Sequence, residues 1–108
     1  MEQTTRLALL LDAYEPLLTS TQARLMRMRV DEDLSLGEIG EECGVSRQAA
    51  RDAIRKGEEK LRFFEDNLHL VSLRRSLSEM AAQLNENAIS PREAAKQIRQ
   101  LAEGTDGV

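Results

Sequence analysis

Residues 34–61 read LSLGEIGEECGVSRQAARDAIRKGEEKL, and this stretch decides the fold. Apolar residues recur at helical spacing in its first half and predict a short helix with one apolar face. These residues are Leu36, Ile39 and Cys43. Gly44 follows, where a helix ends most easily in the left-handed conformation that glycine adopts at little cost. Ser46 can then cap a second helix that begins at Arg47, by accepting a hydrogen bond from a free amide of its first turn.

The turn between the two helices is predicted to depend on Gly40, Gly44 and Val45. A small residue at Gly40 leaves room for two steeply crossing helices, and we expect Val45 to fill the angle between them. The inward-facing residues of the second helix are Ala50, Ala53 and Ile54. Residues 35–62 together are typical of a helix-turn-helix motif. The alternative is an ordinary helical hairpin whose arginines are merely solvated.

The outer face of the second helix carries the candidate nucleic-acid contacts. In helix-turn-helix proteins this face enters the major groove of DNA. The candidates are Ser46, Arg47, Gln48, Arg51, Asp52, Arg55 and Lys56. Arginine suits bidentate contacts to phosphate, guanine or carboxylate, so the residue types do not say which of these is the ligand.

The charge distribution concentrates positive charge on the second helix of the motif. The chain of 108 residues has a net charge of −4. Residues 1–43 carry four basic and nine acidic groups, residues 44–62 six and three, and residues 63–108 five and seven. Long-range attraction to phosphates is therefore weak overall, and we do not expect tight non-specific DNA binding.

The composition predicts an all-α protein. The chain has 41% apolar and 31% charged residues, only two prolines, and no strand-like alternation of apolar and polar residues. Two supporting helices are predicted before the motif: one ends or kinks near Pro16, and the next begins with a capping box formed by Thr19 and Gln22. We expect a helix-turn-helix domain at residues 1–71, a C-terminal helical arm at 72–103 and a disordered tail at 104–108.

The arm contains an apolar seam at heptad spacing. Its residues are Leu70, Leu73, Leu77, Met80 and Leu84. Two heptads are too few for a stable free coiled coil, so the seam must pack on the N-terminal helix of the same chain or on a second copy. A homodimer is the expected outcome. Ser90 and Pro91 predict the start of a last helix, with Glu93 reaching back toward the cap.

No pattern points to catalysis, a metal or a cofactor. His69 is the only histidine and stands in an apolar run, so we expect a structural or solvent-facing role. Cys43 is the only cysteine and lies on the inner face of the first motif helix, where it acts as a small core residue. Because the chain lacks a phosphate loop, a membrane span and a secretory leader, we expect a cytoplasmic, non-enzymatic protein.

The chain resembles the YlxM family of small bacterial proteins, also called p13-like, whose fold is similar to region 4 of sigma-70-type sigma factors. The resemblance covers residues 4–71. It is carried by Thr4-Thr5-Arg6, Leu17-Leu18-Thr19 to Gln22, Asp33 to Ile39, Gly44 to Ala49, and Lys60-Leu61 leading to Asn67 to Val71. The chain departs from the family at Gly40, where alanine is usual, at Cys43, where a larger apolar residue is common, and at residues 28–30, which tend to be aromatic.

The resemblance implies a DNA-binding or regulatory role and a part in the signal recognition particle pathway. Our first hypothesis is a dimeric regulator that contacts DNA through Arg47, Gln48, Arg51 and Arg55. The alternative is a modulator that binds the particle RNA or its GTPase through the same helix without reading DNA. A third possibility is a structural dimer with no nucleic-acid ligand, which would be supported by arginines tied to Asp52, Glu58 and Glu59.

Overall fold

The computed structural model describes residues 3–104, and every regular element among them is a helix. The six α-helices are α1 (Gln3–Tyr14), α2 (Ser20–Val30), α3 (Leu36–Cys43), α4 (Arg47–Leu68), α5 (Leu70–Asn85) and α6 (Pro91–Glu103). A 3-10 helix at Glu15–Leu17 follows α1. The predicted all-α class is confirmed. All but the first residue of the predicted tail, 104–108, lies outside the described residues.

The chain forms two compact units, Met1–His69 and Leu70–Val108. The division follows His69, which caps the C-terminus of α4 in a left-handed conformation with φ of 55°. Its amide donates to the carbonyl oxygen of Glu65 at 2.9 Å. A residue with positive φ cannot continue a right-handed helix, so α4 ends there and α5 begins at Leu70.

The N-terminal unit is built around α4, on which α1, α2 and α3 all pack. Its fully buried large side chains come from all four helices. They are Tyr14, Leu10, Leu11, Met26, Ile39 and Leu61. Gly57 marks the approach of α2, because a Cβ there would lie 2.9 Å from Sδ of Met26. Burial of these side chains holds α4 in one orientation and leaves its opposite side exposed.

The predicted breaks between the first helices are present. Pro16 lies in the 3-10 helix directly after α1, and Thr19 forms a full capping box with Gln22 at the start of α2. Arg27 of α2 then joins three carboxylates, at 2.6 Å to Glu15, 3.0 Å to Asp12 and 3.3 Å to Asp31. These charge-assisted bonds tie α1, α2 and the following turn together.

A buried polar pair lies inside the N-terminal unit. The Tyr14 hydroxyl of α1 donates to Oε1 of Glu65 on α4, and both side chains are buried. The Tyr14 ring also lies 5.8 Å from the Phe64 ring, centroid to centroid. Because a buried carboxylate is costly without hydrogen-bond donors, this bond fixes how α1 meets the C-terminal half of α4.

Two large apolar residues near the end of α4 lie outside the core, although apolar side chains are usually buried. Phe63 is 63% exposed and Leu68 is 59% exposed. Phe63 is two residues from the buried Leu61, and two helical residues turn the side chain through about 200°, toward the opposite side. The helical period therefore places Glu65, four residues after Leu61, on the inner face.

The C-terminal unit is a pair of helices, α5 and α6, that pack on each other. Ser90 caps α6 by accepting from the Glu93 amide at 3.0 Å. The carboxylate of Glu93 accepts from the side chain of Gln97 at 3.3 Å. Met80 and Ala94 are buried, while Leu77, Leu84 and Ile98 are 44%, 37% and 46% exposed. The predicted seam is therefore only partly covered.

Candidate nucleic-acid interface

The corner between α3 and α4 is made by two glycines. Gly44 has φ of 69° and ψ of 32°, the left-handed conformation predicted for the end of the first motif helix. The amide of the next residue, Val45, donates to the carbonyl oxygen of Gly40 at 2.9 Å. A Cβ on Gly40 would lie 2.7 Å from the Val45 carbonyl oxygen. The turn backbone of this chain thus closes directly on Gly40 and leaves no room there for a Cβ without a shift of the turn.

Val45 lies in this turn, but the expectation that it fills the angle between the helices is wrong. Its side chain is 44% exposed. The atoms nearest the Cβ position of Gly40 belong to the backbone of Val45, Ser46 and Arg47 and not to the valine side chain. It borders a groove of about 330 Å³. The other lining residues are Thr21, Arg24, Leu25, Cys43, Ala49 and Ala53.

Cys43 also differs in part from the expected core role. It is half-buried, and its Sγ lies 3.8 Å from Sδ of Met28. Cysteine is small, so it leaves open the groove bordered by Val45 and Ala53. The position is therefore only partly enclosed, rather than packed on all sides like the neighbouring Ile39.

Ser46 starts α4 by the mechanism predicted from the sequence. Its side-chain oxygen accepts from the amide of Ala49 at 3.0 Å. Ala50 and Ile54 are buried on the inner face of α4, and Ala53 is half-buried. This inner face orients the helix so that the opposite side points to solvent. The exposed candidate residues are Arg47, the first residue of the helix, and Gln48, Arg51, Arg55 and Lys56, with Asp52 half-buried among them.

Three exposed arginines of α4 form a row, and they differ in how close they lie to carboxylates. Arg47, Arg51 and Arg55 are spaced by four residues, so each lies about 40° around the helix from the last. Arg55 is near two carboxylates, 3.9 Å from Asp52 and 3.7 Å from Glu59. Within residues 3–104, Arg47 and Arg51 take part in no such ion pair. Their positive charge is available to a ligand.

Asp52 connects two of the candidate residues. Its Oδ1 accepts from Nε2 of Gln48 at 3.2 Å and lies 3.9 Å from Nη2 of Arg55. Farther along α4, Arg62 lies 3.8 Å from Glu58. Carboxylates therefore lie within ion-pair distance of Arg55 and Arg62, whereas among the described residues none lies that close to Arg47 or Arg51, nearer the turn.

The first motif helix, α3, presents acidic groups to solvent. Glu38, Glu41 and Glu42 are exposed, and together with Leu34 they line a shallow surface depression. The motif therefore combines a basic start of α4 with an acidic outer face of α3. This arrangement limits attraction to a phosphate backbone to the region around Arg47 and Arg51.

The start of α3 uses a capping box that sequence analysis missed. Ser35 accepts from the Glu38 amide at 3.1 Å, and the Glu38 carboxylate accepts from the Ser35 amide at 2.9 Å. The Ser35 amide, and secondarily its hydroxyl, lower the pKa of Glu38 below its ordinary value of 4.5. The pattern of serine followed three residues later by glutamate was a sufficient signal.

Comparison with known proteins places the chain in a family. A model of the family described as "Putative helix-turn-helix protein, YlxM / p13 like", UPF0122, matches residues 1–101. The chain belongs to the UPF0122 family. The resemblance to YlxM proteins and the helix-turn-helix fold are thereby confirmed. The match also extends well beyond residues 4–71, which carried the resemblance in the sequence, and takes in α5 and most of α6.

Several UPF0122 proteins are similar to the chain over most of their length. The UPF0122 protein of Bacillus velezensis is 42% identical over 96 residues, covering 89% of this chain and 87% of the relative. Those of Halalkalibacterium halodurans and Bacillus thuringiensis are 37% and 36% identical over 106 residues, covering 98% of this chain and 96% of each relative. Their names state a family and no ligand.

Two further findings concern metal binding and membrane crossing in this UPF0122 protein. Among the described residues, no group of histidine, cysteine, aspartate and glutamate side chains could hold a metal ion. None of the described helices is long and apolar enough to cross a membrane. The exposed start of α4 remains the site with the clearest binding chemistry.

Proposed function

We propose that this protein is a DNA-binding regulator that acts in the cytoplasm as a homodimer and inserts the start of α4 into the major groove. The observation that carries the proposal is the pair Arg47 and Arg51, which are exposed and in no ion pair within residues 3–104. They lie beside the tight turn at Gly44, where the N-terminal residues of a recognition helix contact base edges.

The two arginines serve different contacts in this proposal. Arg47 is the first residue of α4 and lies near the free amides of its first turn, so it suits a phosphate. Arg51 lies one turn farther along the exposed face, where a guanidinium can bond both O6 and N7 of guanine. Gln48 adds an amide that can bond an adenine. A modest number of phosphate contacts agrees with the net charge of −4.

The homodimer would form through the exposed part of the α5 and α6 surface. Leu77, Leu84 and Ile98 are each more than a third exposed. A unit of two helices with few buried apolar side chains gains stability when a second copy covers them. Dimerisation would present two α4 helices to two half-sites of DNA.

DNA binding is tested by titrating the full chain with duplex fragments from its own operon at several salt concentrations. We expect Arg51→Ala to weaken binding to the preferred fragment by about tenfold, as for loss of a bidentate base contact. Arg75→Ala is the matched control, because Arg75 is an exposed arginine on α5. Equal affinities of the Arg51→Ala variant and the unmodified protein would remove DNA reading from α4.

A second candidate function is binding to the signal recognition particle RNA or to its GTPase. The acidic outer face of α3, where Glu38, Glu41 and Glu42 would repel the phosphate backbone of DNA and RNA alike, favours the GTPase as the partner. The carboxylates beside Arg55 and Arg62 reduce the positive charge of the row and so likewise favour a protein partner over a nucleic acid. These ion pairs equally fit a structural dimer without a nucleic-acid ligand.

Pull-down of the particle with the full chain, with and without ribonuclease, separates these candidates. Recovery that is abolished by ribonuclease indicates the RNA, and recovery that survives it indicates the GTPase. A DNA-binding regulator recovers neither component. A structural dimer recovers neither component and also fails to bind duplex DNA.

A further inference from the structure

We propose that Asp52 is a positioning residue of the α4 surface that sets base preference by orienting Gln48 and restrains general affinity by partly neutralising Arg55. The proposal rests on the DNA-binding function proposed above. It starts from the central place of the Asp52 carboxylate between two candidate contacts, 3.2 Å from Nε2 of Gln48 and 3.9 Å from Nη2 of Arg55.

The contact with Gln48 defines which way its amide faces. A carboxylate only accepts hydrogen bonds, so the NH₂ group of Gln48 must face Asp52. One proton of that group is used by Asp52, while the other proton and the carbonyl oxygen stay free. An amide presented in this way can both donate to N7 and accept from the N6 amino group of adenine. Fixing the amide before binding removes a rotamer freedom that would otherwise be lost in the complex.

The contact with Arg55 has a different consequence. Arg55 lies between Asp52 at 3.9 Å and Glu59 at 3.7 Å, and all three side chains are at least partly exposed. Such long surface pairs do not immobilise a guanidinium, but they offset its charge. Arg55 therefore attracts phosphate less than Arg47 and Arg51 do, even though all three belong to one row. Removing either carboxylate makes Arg55 a stronger phosphate contact.

The two carboxylates provide a matched pair of variants. Asp52→Ala removes a partner of both Gln48 and Arg55, whereas Glu59→Ala removes a partner of Arg55 alone. Alanine has the highest helix propensity, so neither change should disrupt α4. An effect shared by both variants reports on Arg55, and an effect seen only with Asp52→Ala reports on Gln48.

The experiment uses the full chain, a preferred duplex selected from a randomised pool, and a random-sequence duplex of the same length. Affinities for both duplexes are measured across salt concentrations for the unmodified protein and each variant. We expect both variants to bind the random duplex more tightly, with a salt slope steeper by about 0.9 for one added phosphate contact. We expect only Asp52→Ala to lower the ratio of preferred to random affinity, by about tenfold.

A double-variant comparison separates orientation from a direct base contact by Asp52. If Asp52 acts through Gln48, then Gln48→Ala relaxes the preference at the same base position, and adding Asp52→Ala relaxes it no further. An additive loss, or a preference unchanged by Asp52→Ala, overturns the inference and leaves DNA reading by α4 intact. Failure to select any preferred duplex overturns both the inference and the proposed base reading.

Discussion

Gly40 shows how one missing side chain determines the shape of the motif. The carbonyl oxygen of Val45 occupies the space where a Cβ would lie, at 2.7 Å, and the backbone of Ser46 and Arg47 follows at 3.3 and 3.4 Å. These neighbours are main-chain atoms of a tight turn, which cannot move aside as a flexible side chain can. Gly37 of the same helix has open surroundings, with its nearest neighbour at 3.9 Å.

We expect Gly40→Ala to reduce the free energy of unfolding by about 1–3 kcal/mol relative to Gly37→Ala. Both changes add the same helix propensity to α3, so their difference isolates the close contact with the turn. Urea unfolding followed by circular dichroism measures the two values. Equal stability of the two variants would show that the turn relaxes freely around an added methyl group.

The bond between Tyr14 and Glu65 is a second feature decided by single side chains. Tyr14→Phe keeps the ring and removes the hydroxyl that donates to Glu65. We expect a loss of about 1–3 kcal/mol in the free energy of unfolding, because a buried side-chain hydrogen bond is lost. Thermal unfolding at neutral pH measures the loss. A double variant with Glu65→Gln should be less destabilised than the sum of both single changes, and strict additivity would contradict a direct coupling.

At the scale of an element, α3 is defined by its two ends. The capping box of Ser35 and Glu38 satisfies free amides at its start, and Gly44 reverses the chain at its end. An eight-residue helix is too short to be stable alone, so these ends and its packing on α4 hold it in place. We expect Ser35→Ala to cost about 1 kcal/mol, while Ser20→Ala, an exposed position inside α2, should cost less.

The capping box also makes the stability of α3 depend on pH. The pKa of Glu38 is lower in the folded chain than its ordinary value of 4.5, because the Ser35 amide bonds to the carboxylate. Its stabilising effect is therefore fully present above pH 4.5 and is lost as the pH falls through the lowered pKa. Glu38→Gln carries no titrating group, so its stability should fall less steeply than that of the unmodified chain below pH 4.5. Parallel acid unfolding curves would contradict this effect.

At the scale of the whole molecule, the two units have different amounts of internal support. The N-terminal unit buries large side chains from four helices, whereas the C-terminal unit leaves Leu77, Leu84 and Ile98 exposed on two helices. The proposed dimer would cover this surface and would bring two α4 helices to one DNA. Affinity for a double site would then exceed that for a half-site through effective concentration.

We expect Leu77→Glu to convert the proposed dimer to a monomer and to lower affinity for a double-site duplex by about tenfold or more. A charge buried in an apolar interface has no partner, whereas Arg75→Glu places a comparable charge at a position that is already polar and exposed. Sedimentation analysis and duplex titration measure the two effects. A dimer that tolerates Leu77→Glu would show that another surface joins the two copies.

The sequence by itself determined the local features of this protein. Apolar spacing, the serine caps at Ser46 and Ser90, the break at Pro16 and the left-handed turn at Gly44 all follow from interactions within a few residues, so they could be predicted from residue types. Helical period also turns Arg51 and Arg55 away from the buried Ala50 and Ile54, whereas Arg47 is exposed as the first residue of α4.

Only the tertiary structure decided how neighbouring side chains share space and charge. Backbone atoms of the turn, and not the Val45 side chain, fill the corner beside Gly40, and Tyr14 of a distant helix donates a hydrogen bond to the buried Glu65. The spacing along α4 allows Arg55 to pair with Asp52 and Glu59, and the rotamers it adopts in the structure bring it near both, while within residues 3–104 no carboxylate pairs with Arg47 or Arg51. These outcomes depend on rotamers and on distances between helices, which the order of residues along the chain does not specify.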